Sequence, residues 1–231
     1  MPKTKSTKFF IVLICLFFSL HSSAQEETEE IDDAVYTRIN PKHSLTLELG
    51  LPIGLSNKGF KGFMQGMVNF SPYYHYNFKN NFSFGVGANY NFFWINHVLS
   101  PDKNNVGAIH SLGAFLEIGY EKFYTDRVGT DFSIKTGYSQ LNFYSVNNRA
   151  LGLGTPTKNI TFVEPTFSLV ITADEFSSFR WNVGYTFQNY TFNPIDLGFS
   201  NDVKEYSSVD YQKMTKFFTF GFGYSYYFKQ R

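Results

Sequence analysis

Residues Phe217 to Phe228 read FFTFGFGYSYYF. Phe218, Phe220, Phe222, Tyr224, Tyr226 and Phe228 share one parity, and Thr219, Gly221, Gly223, Ser225 and Tyr227 share the other. Successive side chains of a β-strand point to opposite faces, so this period of two predicts a strand with a wholly aromatic face backed by a small or polar one. A water-soluble sheet cannot leave such a face uncovered. Lipid covers it in a transmembrane β-barrel, whose strands alternate apolar outward and polar inward with aromatics near their ends.

Working outward, the same alternation recurs seven times. Leu45, Leu47, Leu49, Leu51, Ile53 and Leu55 oppose Thr46, Glu48 and Gly50 in the first strand. The second is read with Met64, Val68, Phe70, Tyr74, Tyr76 and Phe78 outward and Gln65, Asn69, Ser71, His75 and Asn77 inward. The third sends out Phe82, Phe84, Val86, Ala88, Tyr90, Phe92 and Trp94, and the fourth Leu112, Ala114, Leu116, Ile118 and Tyr120. In the fifth, Phe132, Ile134, Thr136 and Tyr138 face out, and the alternation fails over Gln140 to Tyr144, where a bulge is expected. The sixth carries Val163, Phe167, Leu169 and Ile171 outward, with Pro165 marking a bulge or a disrupted rung. Phe179, Trp181, Val183, Tyr185 and Phe187 form the outer face of the seventh, and the opening stretch is the eighth. The expected fold is therefore all-β: an eight-stranded antiparallel transmembrane β-barrel over residues 44–231, an even count as in single-chain bacterial barrels.

The connections give an independent check. Lys79–Asn81, Glu121–Gly129 and Ala173–Ser178 are read as periplasmic turns, and Ser56–Gly62, His97–Gly107, Ser145–Asn159 and Asn193–Tyr211 as outer loops. All but the first loop are longer than the turns, and this alternation is what a barrel with its first strand rising from the periplasm requires. A soluble ligand-carrying barrel is the fold-level alternative, and it needs apolar residues inside and polar ones outside.

The chain has 231 residues, 43% hydrophobic and 20% aromatic, with 28 Phe and 16 Tyr. At its start Lys3, Lys5 and Lys8 precede an apolar run from Phe9 to Leu20 and the small residues Ser22-Ser23-Ala24. This is the pattern of a cleaved signal peptide over residues 1–24, its core too short to span a bilayer as a helix. Cys15, the single cysteine, lies within that segment, so disulfides and Cys-dependent sites are not expected in the mature chain. Without its three lysines, the 20 Lys+Arg fall to 17 against 19 Asp+Glu, and no basic stripe marks nucleic-acid binding. Residues 25–43 open with the acidic run QEETEEIDDA and are read as a solvated periplasmic lead-in.

Signal, alternating strands and terminal aromatic strand together resemble the small outer-membrane β-barrel family, the OmpA/OmpX-like and porin-family barrels of Gram-negative bacteria. The resemblance spans the mature chain and lies in the pattern, with no short motif. It implies an integral outer-membrane location, contact with outer-membrane lipid, and insertion by the barrel-insertion machinery. That machinery reads a terminal aromatic residue in the family; Phe228 fits this role, and Lys229-Gln230-Arg231 follow it as a departure.

Candidate functional residues are the inward charges. Glu48, Glu117, Lys135, Glu164 and Arg180 fall on the inner parity of their strands, with His75 toward the periplasmic end. An eight-stranded barrel has room inside only for side chains, so these charges are expected to pair and plug the lumen. Inward glycines at positions such as Gly85, Gly113, Gly184 and Gly221 keep a narrow pore for small ions or solutes as the alternative. A lipid-modifying enzyme is third. His97, Asp102, His110, Ser100 and Ser111 bracket the second outer loop without the His-x-Ser spacing of a lipid A deacylase. The histidines lack metal-ligand spacing, and Asp196, Asp202, Glu205 and Asp210 are read as a solvated loop in preference to a calcium site. No catalytic residue, metal or cofactor is assigned. The expected function is a monomeric structural or interaction-type barrel meeting an extracellular or periplasmic protein partner through its loops.

A positive charge at Leu47, Phe84 or Phe220 should block membrane insertion and leave secretion intact, at a cost of about 2–4 kcal/mol for a mid-membrane site. Fractionation of the three Leu/Phe→Arg variants reads this directly, and normal insertion of all three would remove the membrane-facing assignment.

Overall fold

The structure, a computed structural model, describes residues 41–100, 102–199 and 212–230. The expected signal peptide, the lead-in up to residue 40 and three of the four acids of the last loop (Asp202, Glu205 and Asp210) lie outside the described residues.

Eight strands form one closed antiparallel barrel in sequence order, β1 (Pro41–Ser56), β2 (Met64–Asn77), β3 (Phe82–Ile95), β4 (Gly107–Phe123), β5 (Val128–Ser145), β6 (Thr157–Asp174), β7 (Ser177–Gln188) and β8 (Lys216–Gln230). Ring closure is made by β1 against β8, from His43 to Ser56 on one strand and Lys229 to Lys216 on the other. At its middle Gly50 meets Gly221, and a Cβ on Gly221 would lie 2.4 Å from the Leu49 carbonyl oxygen and 2.7 Å from Cα of Gly50. Only glycine permits that approach.

Side chains divide as the period of two requires. Leu49, Ile118 and Phe222 are 56%, 64% and 55% exposed, whereas Glu117, Lys135 and Arg180 are 0%, 2% and 0% exposed. An apolar exterior around a charged interior is the inverse of a soluble barrel, and it is the arrangement a strand needs between lipid and a polar lumen. No described helix is long and apolar enough to cross a membrane.

Connections alternate in length. Residues 78–81, 124–127 and 175–176 join strands at one end, and 57–63, 96–106, 146–156 and 189–215 at the other, taken as the outer end. Two turns are tighter than the sequence suggests. Glu121, Lys122 and Phe123 continue the ladder opposite Asp131, Thr130 and Gly129, and Ser177 and Ser178 already belong to β7. Glu121 reads as turn in the sequence, yet it is a strand residue with a buried side chain, opposite the buried Asp131 of β5. β1 likewise begins at Pro41, ahead of the expected Ser44.

The outer third of the lumen departs from polar-inward alternation. Phe93, Ile95, Ile109, Leu141, Phe143, Ile160 and Phe217 point inward and join Met64, Phe60, Phe63, Tyr190, Phe192, Leu197 and Phe199 in one buried cluster. Over Gln140 to Tyr144 the register with β4 is unbroken, so the expected bulge is absent; the residue types invert because the lumen there is apolar. Pro165 causes no bulge, since β6 keeps one register with β7 on both sides of it, but it does mark a disrupted rung: neither Glu164 nor Pro165 pairs with β7. Register shifts sit elsewhere: toward both ends of β1, between Thr172 and Asp174 in β6, and between Gly66 and Val68 in β2. The last is an extra residue in β2. That extra residue turns Met64 inward and Gln65 outward, the reverse of the expected faces.

Two outer connections contain short helices that the sequence reading left as loops. α1 (Lys58–Phe63) is capped by Asn57, whose side chain accepts from the Phe60 amide at 3.0 Å. α2 (Val146–Ala150) is capped in the same way by Ser145, and a 3-10 helix covers Pro194–Leu197. These caps are local Asn and Ser chemistry at helix starts.

Candidate functional site

The lumen is filled in layers. At the outer end, α1 drives Phe60 and Phe63 into the mouth, where Phe60 stacks edge-on against Phe93 (5.0 Å between centroids) and Phe192 (5.6 Å). Buried Asn57 ties this plug to the last loop, donating to the carbonyls of Phe192 (3.3 Å) and Lys213 (2.9 Å). The 3-10 helix is the hub of the cap. Asn105 and Ser145 both donate to the Leu197 carbonyl at 2.9 Å, and Asn148 donates to the Asp196 carbonyl at 2.9 Å. Gly198, at φ 70°, ends this helix in a left-handed conformation that suits glycine.

Asp196, weighed in the sequence as a calcium ligand, is engaged by protein. Its Oδ2 receives Lys158 Nζ at 2.6 Å and the Tyr190 hydroxyl at 2.7 Å. Burial, then the neighbouring Asp196 charge, pushes the Tyr190 phenol well above its ordinary value of 10.0. Conversely, the side chain of Asn147 donates to Asp102 and holds that carboxyl below its ordinary range.

Mid-lumen, Lys135 Nζ bonds Glu48 Oε2 at 2.5 Å, and the Tyr73 hydroxyl donates to Glu48 Oε1 at 2.8 Å. The ammonium also sits over the rings of Tyr73 (4.9 Å) and Phe115 (5.4 Å). Glu164 accepts from the Thr186 hydroxyl, and Glu117 stands opposite Lys135 on the ladder. Toward the periplasmic end Arg180 bonds Asp131 (Nη1 to Oδ2, 2.8 Å), Glu121 (through Nη2) and the Ser225 hydroxyl (Nε to Oγ, 2.7 Å). Asn77 donates to the free side of Glu121 at 2.8 Å.

The five inward charges of the sequence are thus all inside, but in two groups. Glu48 and Lys135 pair, with Glu117 and Glu164 on neighbouring strands, while Arg180 is answered by Glu121 and Asp131. Glu121 was missed because its charge made it look like turn. Tyr73 was missed because an aromatic on the inward parity contradicts a polar-in pattern; that parity, taken strictly, would have placed it. His75 is fully buried, and neither its ring nitrogens nor the Glu117 oxygens have a hydrogen-bond partner among the described residues.

The loop residues weighed for catalysis do not converge. His110 faces outward and shares a hydrogen bond with the Tyr90 hydroxyl (2.7 Å), while Ser111 points inward. Ser100 donates to the Asp102 carbonyl and His97 lies 3.4 Å from Trp94 Nε1.

Apolar wall, closed ladder and charged lumen together decide the architecture. The fold is that of a small eight-stranded outer-membrane barrel. No family model matches the chain, and no curated protein matches it in sequence. Among solved structures the chain is similar to surface protein A of Neisseria (NspA), at 10% identity over 80% of this chain and 97% of that one, with TM-score 0.49. OprG of Pseudomonas aeruginosa is similar at 11% identity, covering 82% and 99%, with TM-score 0.47. Ail, the attachment invasion locus protein of Yersinia pestis, is similar at 13%, covering 82% and 99%, with TM-score 0.45.

Two outcomes are expected. Lys135→Met strands the Glu48 charge in the lumen and should destabilise the refolded barrel by about 3–5 kcal/mol, with Lys135→Met/Glu48→Gln recovering most of it in chemical denaturation. Because the Tyr190 pKa is raised on folding, its contribution is complete below pH 10.0 and is lost as pH rises beyond it. Wild type should therefore lose stability relative to Tyr190→Phe above pH 10.0, and parallel curves would contradict the assignment.

Proposed function

We propose that the chain is an integral outer-membrane barrel of structural or interaction type, exported by its signal peptide, monomeric, with a sealed lumen and its outer loops as the contact surface. The observation that carries this reading is the fill of the lumen. Between the aromatic plug and the ion pairs, a void lined by Glu48, Asn69, Glu164, Asn182 and the inward glycines Gly50, Gly184 and Gly221 measures about 10 Å³. That is room for about one water molecule. Inward glycines here accommodate neighbouring backbone and side chains, as the contact at Gly113 with Ser139 Oγ (2.1 Å from an added Cβ) illustrates.

Loops held by side-chain hydrogen bonds to one another present a fixed outer surface. Asn105, Ser145, Asn147 and Asn148 bind loops two and three to the 3-10 helix of loop four. An extracellular protein partner is the occupant this rigidity favours, because binding then costs little ordering entropy.

A narrow pore is the second reading. It is favoured by the unpartnered polar atoms of His75, Glu117 and Asn182, which a hydrated path would satisfy, and it makes Glu117, Lys135 and Arg180 the gate.

Conductance of the mature chain, refolded and inserted in a planar bilayer, separates the two. A heat-modifiable band on gels with an electrically silent bilayer is the expected result. Discrete conductance steps in the wild type would make the pore primary.

A further inference from the structure

The outer end of the β3–β4–β5 wall carries a groove of about 560 Å³ on the lipid-facing side. Its sides are Trp94, His110 and Tyr144, all outward residues, and Arg149 of α2 stands at its loop end. His110 is packed between Phe92 (4.9 Å) and Tyr144 (5.1 Å), which fixes the groove floor. No carboxylate lines the groove.

Arg149 is exposed and forms no ion pair with a described residue. Neighbouring loop cations are spoken for: Lys158 bonds Asp196, and Lys103 donates to the carbonyls of His97 and Val98. Near this end, Gly152 and Gly154 leave open space within 4 Å of an added Cβ. Below the groove the same wall continues as exposed Leu112, Leu116, Ile118 and Tyr138. Above it the loops carry Val98, Leu99, Leu151 and Leu153, all more than half exposed. Such apolar tips are unusual for loops facing only water.

We propose that the groove seats the phosphate-bearing headgroup of an anionic outer-leaflet lipid, one whose phosphate charge is not balanced by a headgroup cation. Arg149 takes the phosphate through its guanidinium fork, Trp94 and Tyr144 line the headgroup at interface depth, and the acyl chains lie on the β4–β5 wall. A concave, aromatic-lined site with one unanswered cation at the edge of an apolar belt fits this ligand in both charge and position. The proposal rests on the membrane-embedded reading above.

The test uses Trp94 as its reporter. A Trp181→Phe chain, refolded into phosphatidylcholine vesicles, is titrated with bromine-labelled phosphatidic acid or bromine-labelled phosphatidylcholine at equal mole fraction. Quenching of Trp94 should indicate about five-fold enrichment of phosphatidic acid, the preference one surface cation gives an anionic lipid. Arg149→Gln should abolish that excess, and inorganic phosphate in the buffer should not. Equal quenching by the two lipids, an excess that survives Arg149→Gln, or an excess erased by inorganic phosphate would each overturn the proposal. Failure of the membrane reading looks different: labelled phosphatidylcholine would then quench neither tryptophan of the parent chain. If Trp181→Phe does not refold, retention of phosphatidic acid over phosphatidylcholine by wild type and Arg149→Gln in native mass spectrometry decides the question with the same expected loss.

Discussion

Every backbone amide that enters hydrocarbon must find its partner within the protein. The β1–β8 ladder meets that constraint, because it is the closure that leaves the sheet without an edge. It runs nearly the full length of both strands and passes through the Gly50–Gly221 contact, where the two backbones touch. Once the ring is closed, each strand has one face to lipid and one to an interior only wide enough for side chains. Leucines of β1 and aromatics of β8 then belong outside, and Glu48, Lys135 and Arg180 are committed to the inside whatever their solvation cost.

That commitment explains the composition of the lumen. Lys135 and Arg180 cannot remain unpaired at this depth, and each is answered by carboxylates contributed from other strands. Such pairs need not stabilise the barrel over an apolar core; what they do is penalise any register that separates them. Glu121 on β4, Asp131 on β5 and Arg180 on β7 meet in one arrangement of the strands, and a shift of one residue would turn each of them toward lipid. At the other end the same space is closed by different physics. Phe60, Phe63, Phe192 and Leu197 enter from loops one and four and complete an apolar core on the inward residues of β3, β4 and β5. Among the described residues the lumen is thus polar and ion-paired toward one end and apolar toward the other.

Much of this was legible in the sequence. Period-two alternation identified all eight strands, the apolar exterior and the inward position of Glu48, Glu117, Lys135, Glu164 and Arg180, because those features depend only on parity. Where the sequence reading went astray, tertiary context had changed what the inner face should be. Leu141 and Phe143 looked like a broken pattern because the core they join is supplied by loops distant in sequence. Glu121 looked like turn because its cation, Arg180, lies on another strand. The β2 irregularity at Gly66 left no signature beyond a glycine between two methionines, Met64 and Met67, and Asn57 gave no hint that its side chain would reach loop four. The Arg149 groove could not have been seen, since its parts come from three strands and a loop helix.

The central claim is that adjacent residues of one strand meet lipid and a sealed interior in turn. Residues 41–230 contain no cysteine, so single spin labels can be placed along β8 from Phe218 to Phe228 in the refolded, bilayer-inserted protein. The account predicts that labels at Phe218, Phe220, Phe222, Tyr224 and Tyr226 are open to oxygen and closed to a water-soluble relaxer. Labels at Thr219, Ser225 and Tyr227 should be shielded from both. Loss of the period of two, or strong access of the water-soluble relaxer to the inward set, would contradict a closed and plugged transmembrane barrel.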